Sequence, residues 1–255
     1  MEAHRLHTSS DQAQPPGRRI WLKSAAATLA SAYALPSFST AASNQSSGKP
    51  VKAIENKMVG FMLAHEQFTV PQLIEIGVSA EQSGFDLLAT SDHFQPWQAN
   101  EAHSGEAWAT LGALSQRTQR VWMGTTVTCP TFRYNPAVVA EAFATLDSLA
   151  PGRIFLGIGS GEALNEQAAI GSWPKWPERS ERLVEATDII RQMWTGKQIA
   201  HEGKYYNVNA RLFDRPERTI PLLMAANGPK AMYPLENMPT GLSPIQRHGD
   251  RPPDF

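Results

Sequence analysis

His93, Trp97 and Glu162 are the residues of this chain whose types and settings could do chemistry. His93 lies in Ser91-Asp92-His93-Phe94-Gln95-Pro96-Trp97. An unperturbed imidazole titrates at about 6.5, so it can take a proton near neutral pH, and a neighbouring carboxylate can hold one tautomer. A histidine alone in a loop reads equally well as a polar surface residue. Asp92 precedes it, but adjacent side chains of an extended chain point to opposite sides, so Asp92 can buttress the loop without touching His93. Trp97 offers a large flat face that serves a binding site or a core, and Pro96 before it fixes an extended loop unsuited to a helix face. Glu162 follows Gly159-Ser160-Gly161 at the end of an apolar run. A carboxylate there is expected to be poorly solvated, with a raised pKa that suits a proton donor; it also reads as a helix-start residue favoured by the dipole. Cys129, followed by Pro130, reads as a small core residue without a nucleophile's partner.

These residues fall at the ends of predicted strands. Residues 58–63 form a short apolar run, and Leu73, Ile76, Gly77 and Ala80 then repeat at helical spacing after Thr69 and Pro71, up to Gly84. The alternation continues with a strand over 85–90, a helix over 106–116, a strand over 120–128 and a helix over 136–149. A strand over 153–159, a helix over 178–194, a small hairpin around 201–208 and a strand over 220–226 follow. Repeated βα units with near-continuous apolar strands mean a parallel sheet covered by helices. Polar and glycine residues gather after several strands, as on the catalytic face of a (β/α)8 barrel, and the first turn, Ala64-His65-Glu66-Gln67, lacks the glycines of a dinucleotide fold. The expected class is therefore an α/β TIM barrel with about five βα units, an incomplete barrel.

Composition agrees with a globular chain: 255 residues, 42% hydrophobic and 18% charged. A net charge of −1, without a Lys/Arg run beyond the first 25 residues, gives no reason to expect a polyanion, so nucleic acid is not a predicted partner. One cysteine rules out an internal disulfide and a Cys-rich zinc site, and no metal is predicted. Residues 1–43 have the build of a signal peptide: Gly17-Arg18-Arg19-Ile20-Trp21-Leu22-Lys23, a small-residue stretch, then Ala, Ser and Thr near 39–43. The run is broken by Pro36 and falls short of the ~20 strongly apolar residues of a membrane span. Residues 44–55 read as a linker and 56–232 as the barrel. Residues 233–255, with five prolines, show no strand-like run and read as an unrelated, disordered tail such as a frameshift or premature stop leaves.

Three segments are similar to motifs of the F420-dependent dehydrogenases of the luciferase-like family: the one holding His93, Pro130-Thr131-Phe132-Arg133-Tyr134-Asn135-Pro136-Ala137, and Gly159-Ser160-Gly161-Glu162-Ala163-Leu164-Asn165-Glu166. The arginine pair resembles a twin-arginine export signal, as in the exported branch of this group that includes hydroxymycolic acid dehydrogenase. The resemblance implies a dimeric TIM barrel with coenzyme F420 across the C-terminal strand ends. It makes His93 the group that takes the alcohol proton, with Glu66 a rival for that role, and Glu162 the proton donor to the deazaflavin. Trp97 then lies beside the cofactor and the reacting carbon. Asp92, Trp97, Thr126, Val127, Asn165, Asn227 and Gly228 are the implied cofactor contacts, with a non-proline cis peptide at Thr126-Val127 and backbone N–H groups at Asn227-Gly228 facing the phosphate.

The function so implied is hydride transfer from an alcohol to F420, the alcohol a small molecule or a hydroxylated envelope lipid, by a homodimer exported to the cell envelope or periplasm. Two alternatives stand beside it: an FMN-dependent luciferase-like monooxygenase, and a truncated, inactive pseudoenzyme.

Overall fold

In the computed structural model, which describes residues 58–225 and the strand at 242–245, four parallel βα units follow one another from the start of the described chain. They are β1 (Gly60–Leu63) with α1 (Val70–Gln82), β2 (Leu87–Thr90) with α2 (Ala107–Arg117), β3 (Trp122–Thr125) with α3 (Pro136–Leu149), and β4 (Ile154–Ile158) with α4 (Ala163–Ile170) and α5 (Trp176–Trp194). An antiparallel hairpin, β5 (Ile199–Glu202) and β6 (Asn207–Ala210), precedes β7 (Leu222–Ala225) and β8 (Leu242–Ile245). The sheet order is β1-β2-β3-β4-β7-β8, every pairing parallel.

Local sequence explains the starts of the helices. Gln72 Oε1 accepts from Thr69 N at 3.0 Å ahead of α1, with Pro71 in the first turn. The Asn135 side chain accepts from Ala137 N ahead of α3, again with a proline in the first turn, and Glu106 accepts from Ala109 N ahead of α2. Each of these three helices then turns an apolar stripe to the sheet. In α1 the stripe is Leu73, Gly77 and Ala80; in α3 it includes Val139, Ala140, Phe143 and Leu146. These join β2 Leu88, β3 Met123 and the fully buried β4 in one core.

The structure corrects four expectations. The strand predicted over 120–128 is only Trp122–Thr125, because the chain leaves the ladder at a cis peptide, Thr126-Val127, and returns for a single bridge between Thr128 and Ile158. A helix absent from the sequence reading, α4, starts at Ala163; its buried residues are Asn165 and Glu166, so it has no apolar stripe to recognise. Residues 233–255, read as free of strands, contain β8, whose backbone pairs with β7 from Leu222↔Leu242 to Ala225↔Ile245. Glu162, expected to be poorly solvated, is exposed. The leader, the linker up to residue 55, Asn227, Gly228 and the rest of the tail lie outside the described residues.

Candidate active site

The C-terminal ends of β1 and β2 stand in register, Leu63 opposite Thr90, so the residues that follow each strand meet above the sheet. Glu66 comes from the first of these loops and His93 from the second. The Glu66 carboxyl is buried; its Oε1 lies 2.5 Å from His93 Nδ1 and its Oε2 accepts from Ser91 Oγ at 3.0 Å. Both atoms are buried and meet as an ion-pair contact; neither makes a hydrogen bond of standard geometry to any group. Burial pushes the Glu66 pKa up, but the His93 contact, its own backbone N–H and the Ser91 hydroxyl outweigh it, leaving the carboxyl below its ordinary 4.5. A carboxylate accepts only, so His93 Nδ1 carries a proton and the neutral ring has its lone pair on Nε2.

His93 also packs against Trp97, with ring centroids 5.0 Å apart. Trp97 is half exposed, and its Nε1 donates to Glu162 Oε2 at 3.1 Å. The four residues given catalytic roles on resemblance thus form one line, Glu66, His93, Trp97 and Glu162, contributed by the ends of three strands. Glu162 occupies the N-cap of α4 without a side-chain cap hydrogen bond, since the side chain leans outward to the indole. The buried carboxylate of α4 is Glu166, and burial there raises its pKa.

Beneath this line runs a second, charged layer. Asp92 Oδ1 accepts from Arg133 Nη2 and Tyr134 OH, both at 3.0 Å, and Oδ2 accepts from Thr128 Oγ1 at 2.6 Å. Arg133 also donates from its backbone N to Glu166 Oε2 at 3.1 Å and lies 3.5 Å from Oε1. Burial works against the guanidinium, yet Asp92, Tyr134 and Glu166 raise its pKa overall. Asp92 borders the cleft, but both of its oxygens are engaged within the protein. Asn165 Oδ1 accepts from Phe94 N and Gln95 N, which ties the His93 loop to α4. Arg133 and Glu166 stand inside two of the motifs, but nothing in their spacing announces the pairing; it joins the loop after β3 to helix α4.

A cleft of about 230 Å³ opens along these residues, bordered among others by His93, Thr126, Val127, Gly161, Glu162 and Trp176. Its wall is kept low by glycines: a Cβ on Gly159 would sit 2.6 Å from Val127 Cγ2, and one on Gly161, at φ 77°, would sit 2.7 Å from Cys129 Sγ. Cys129 is buried, and its thiol is pushed up to about 12. Among the described residues no group of acidic, histidine or cysteine side chains could hold a metal, and no helix is long and apolar enough to cross a membrane.

The family model for luciferase-like monooxygenases matches residues 39–233. The chain belongs to the luciferase-like monooxygenase family. Its sheet is accordingly part of that family's TIM barrel. Among curated relatives it is 49% identical over 174 residues to the F420-dependent glucose-6-phosphate dehydrogenase of Gordonia bronchialis, covering 67% of this chain and 52% of that one. It is 45% identical over 190 residues to the F420-dependent hydroxymycolic acid dehydrogenase of Mycobacterium tuberculosis, covering 74% and 53%. A solved F420-dependent secondary alcohol dehydrogenase in complex with an F420-acetone adduct superposes with a TM-score of 0.67 at 39% identity, covering 68% of this chain and 53% of that one. A coenzyme F420 dependent tetrahydromethanopterin reductase from Methanopyrus kandleri shares the fold, with a TM-score of 0.61 at 23% identity over 73% of this chain and 55% of that one. The chain spans about half the length of the curated relatives it matches.

Proposed function

We propose that this site binds coenzyme F420 and oxidises an alcohol with a largely apolar body, such as a hydroxylated cell-envelope lipid. The observation that carries the reading is the unbroken line Glu66, His93, Trp97 and Glu162 beside the cleft wall at Thr126 and Val127. A half-exposed indole, the half-buried Val127 and a wall of glycines suit a flat ring system. When bound, F420 supplies a two-electron acceptor for the hydride that leaves the carbinol carbon.

His93 Nε2 takes the hydroxyl proton, because Nδ1 is committed to Glu66. Glu66, ionised and with both oxygens engaged, orients the imidazole and balances the charge it gains. Between the two rivals for the base, the ion-pair contact and the Ser91 hydrogen bond therefore favour His93. Glu162, exposed on the far side of Trp97, is open to exchange a proton with the cofactor's edge. Phe68, Phe94 and Trp97 are exposed large apolar side chains on the loops that carry Glu66 and His93. Exposed apolar side chains on these two loops suit a lipid alcohol better than a sugar phosphate. The names of the curated relatives and of the solved alcohol dehydrogenase support the same cofactor and reaction class. The Arg18-Arg19 leader supports export by the twin-arginine route to the envelope or periplasm, and the family resemblance supports a homodimer.

A fluorescence titration of residues 43–255 with F420, with FMN as control, tests the reading; loss of F420 absorbance is then followed with a long-chain secondary alcohol. Saturable F420 binding and alcohol-dependent reduction are expected. Binding of FMN instead would favour a luciferase-like monooxygenase. Binding of neither to a folded sample would overturn both and leave a catalytically silent member of the family.

A further inference from the structure

We infer that Ser91 is a positioning residue for proton transfer: its hydroxyl sets Glu66, and through Glu66 the tautomer and orientation of His93. This rests on the reading of His93 as the base, and it adds a residue with no role so far. Ser91 is buried, with 3% of its surface exposed, so water does not compete for its hydroxyl. The direction of its proton follows from its neighbours. Ser91 Oγ accepts from His65 N at 3.0 Å, so its own hydrogen is free to be donated to Glu66 Oε2, also at 3.0 Å.

A carboxylate is planar. Pinning Oε2 from the Ser91 side leaves Oε1 to face His93 Nδ1, the arrangement that puts the imidazole lone pair on Nε2. Ser91 is itself fixed from below. His65, fully buried, has Nδ1 3.0 Å from Ser91 O and 2.9 Å from Thr90 Oγ1. Burial lowers the pKa of His65 and so favours a neutral ring. Its Nε2 lies 2.8 Å from Thr110 Oγ1 on α2, which holds the ring and with it the Ser91 backbone. The chain of support thus runs from α2 through His65 and Ser91 to Glu66 and ends at His93.

Ser91→Ala removes the donor to Glu66 while leaving His93, Trp97 and Glu162 in place. The expected result is a loss in kcat of about tenfold, the scale of one hydrogen bond to a charged group, with the KM for alcohol and the Kd for F420 unchanged. If Ser91 acts through Glu66, the same substitution made in a Glu66→Gln background costs little more. A second readout needs no turnover. In the cofactor-free protein, the carboxyl ¹³C titration of Glu66 moves upward in Ser91→Ala, because the carboxylate has lost a donor. An unmoved Glu66 titration overturns the inference, and so does an equal loss of kcat in both backgrounds. A wild-type protein that never reduces F420, but whose Glu66 titration responds to Ser91→Ala, sinks the proposed function and leaves the positioning role standing.

Discussion

At the C-terminal end of the sheet, Arg133 lies between two buried carboxylates, Asp92 and Glu166. At the N-terminal end, Arg153 is just as deeply placed but is held by neutral groups: Thr118 Oγ1 at 3.1 Å, Val121 O at 3.3 Å and Ser115 O at 3.2 Å. Burial weighs against both guanidinium groups, yet the pKa of Arg133 ends above its ordinary value and that of Arg153 below it. The charged end carries the loops that make the cleft. At the other end, Arg153 ties the α2–β3 connection to the start of β4. A carboxylate pair fixes position more strongly than carbonyls do, and it leaves charge near the site when its partner is removed.

The sharpest way to break this comparison is to remove each arginine in turn. Arg133→Met strands Asp92 and Glu166 in the interior and is expected to cost about 3–5 kcal/mol at neutral pH, the range for a broken buried pair. Arg153→Met strands only carbonyls and a hydroxyl and should cost about 1–3 kcal/mol. Urea unfolding at pH 7 and pH 4.5 separates them further. The Arg133 cost shrinks at the lower pH as the orphaned Glu166, whose pKa burial already raises, takes up a proton, while the Arg153 cost does not move. Equal costs at both pH values would mean that the two ends do not differ in the way described.

Activity should divide the ends in the opposite sense. His93→Gln is expected to lower kcat about 10²–10⁴-fold, the usual contribution of a general base, with unfolding little changed. Arg153→Met should lower stability and leave kcat for the surviving folded fraction intact.

A smaller effect lies within the charged end. Glu66 has a native pKa below its ordinary 4.5, so the stability it contributes is complete above that value and is lost as pH falls through the native pKa. Glu166 has the reverse shift; its ionisation costs stability, and the cost grows as pH rises from 4.5 through its raised native value. Urea midpoints between pH 3 and 7 should therefore show Glu66→Gln losing stability relative to wild type mainly on the alkaline side. Glu166→Gln should be relatively most favourable there, offset by its lost bonds to Arg133. Parallel curves for the two variants would contradict the assigned directions.

The alternation of strands and helices was legible because each buried element writes its period into the order of apolar residues; Leu73, Gly77 and Ala80 suffice to recognise α1. The line of His93, Trp97 and Glu162 was reachable through motif resemblance, since its residues fall next to strand ends. Helix α4 was hidden because its inward face is polar, and β8 because a four-residue strand containing Pro244 has no signal without its neighbour. Sequence by itself determined the strands and helices other than α4 and β8, that the strands of the βα units would pair in parallel, and which residue types would reach the C-terminal face. Only the tertiary structure decided that Glu66 faces Nδ1 of His93, that Ser91 stands behind Glu66, and that Glu166 rather than Glu162 is buried. Those choices depend on contacts between segments 25 or more residues apart, whose direction and burial exist only once the strands are in register.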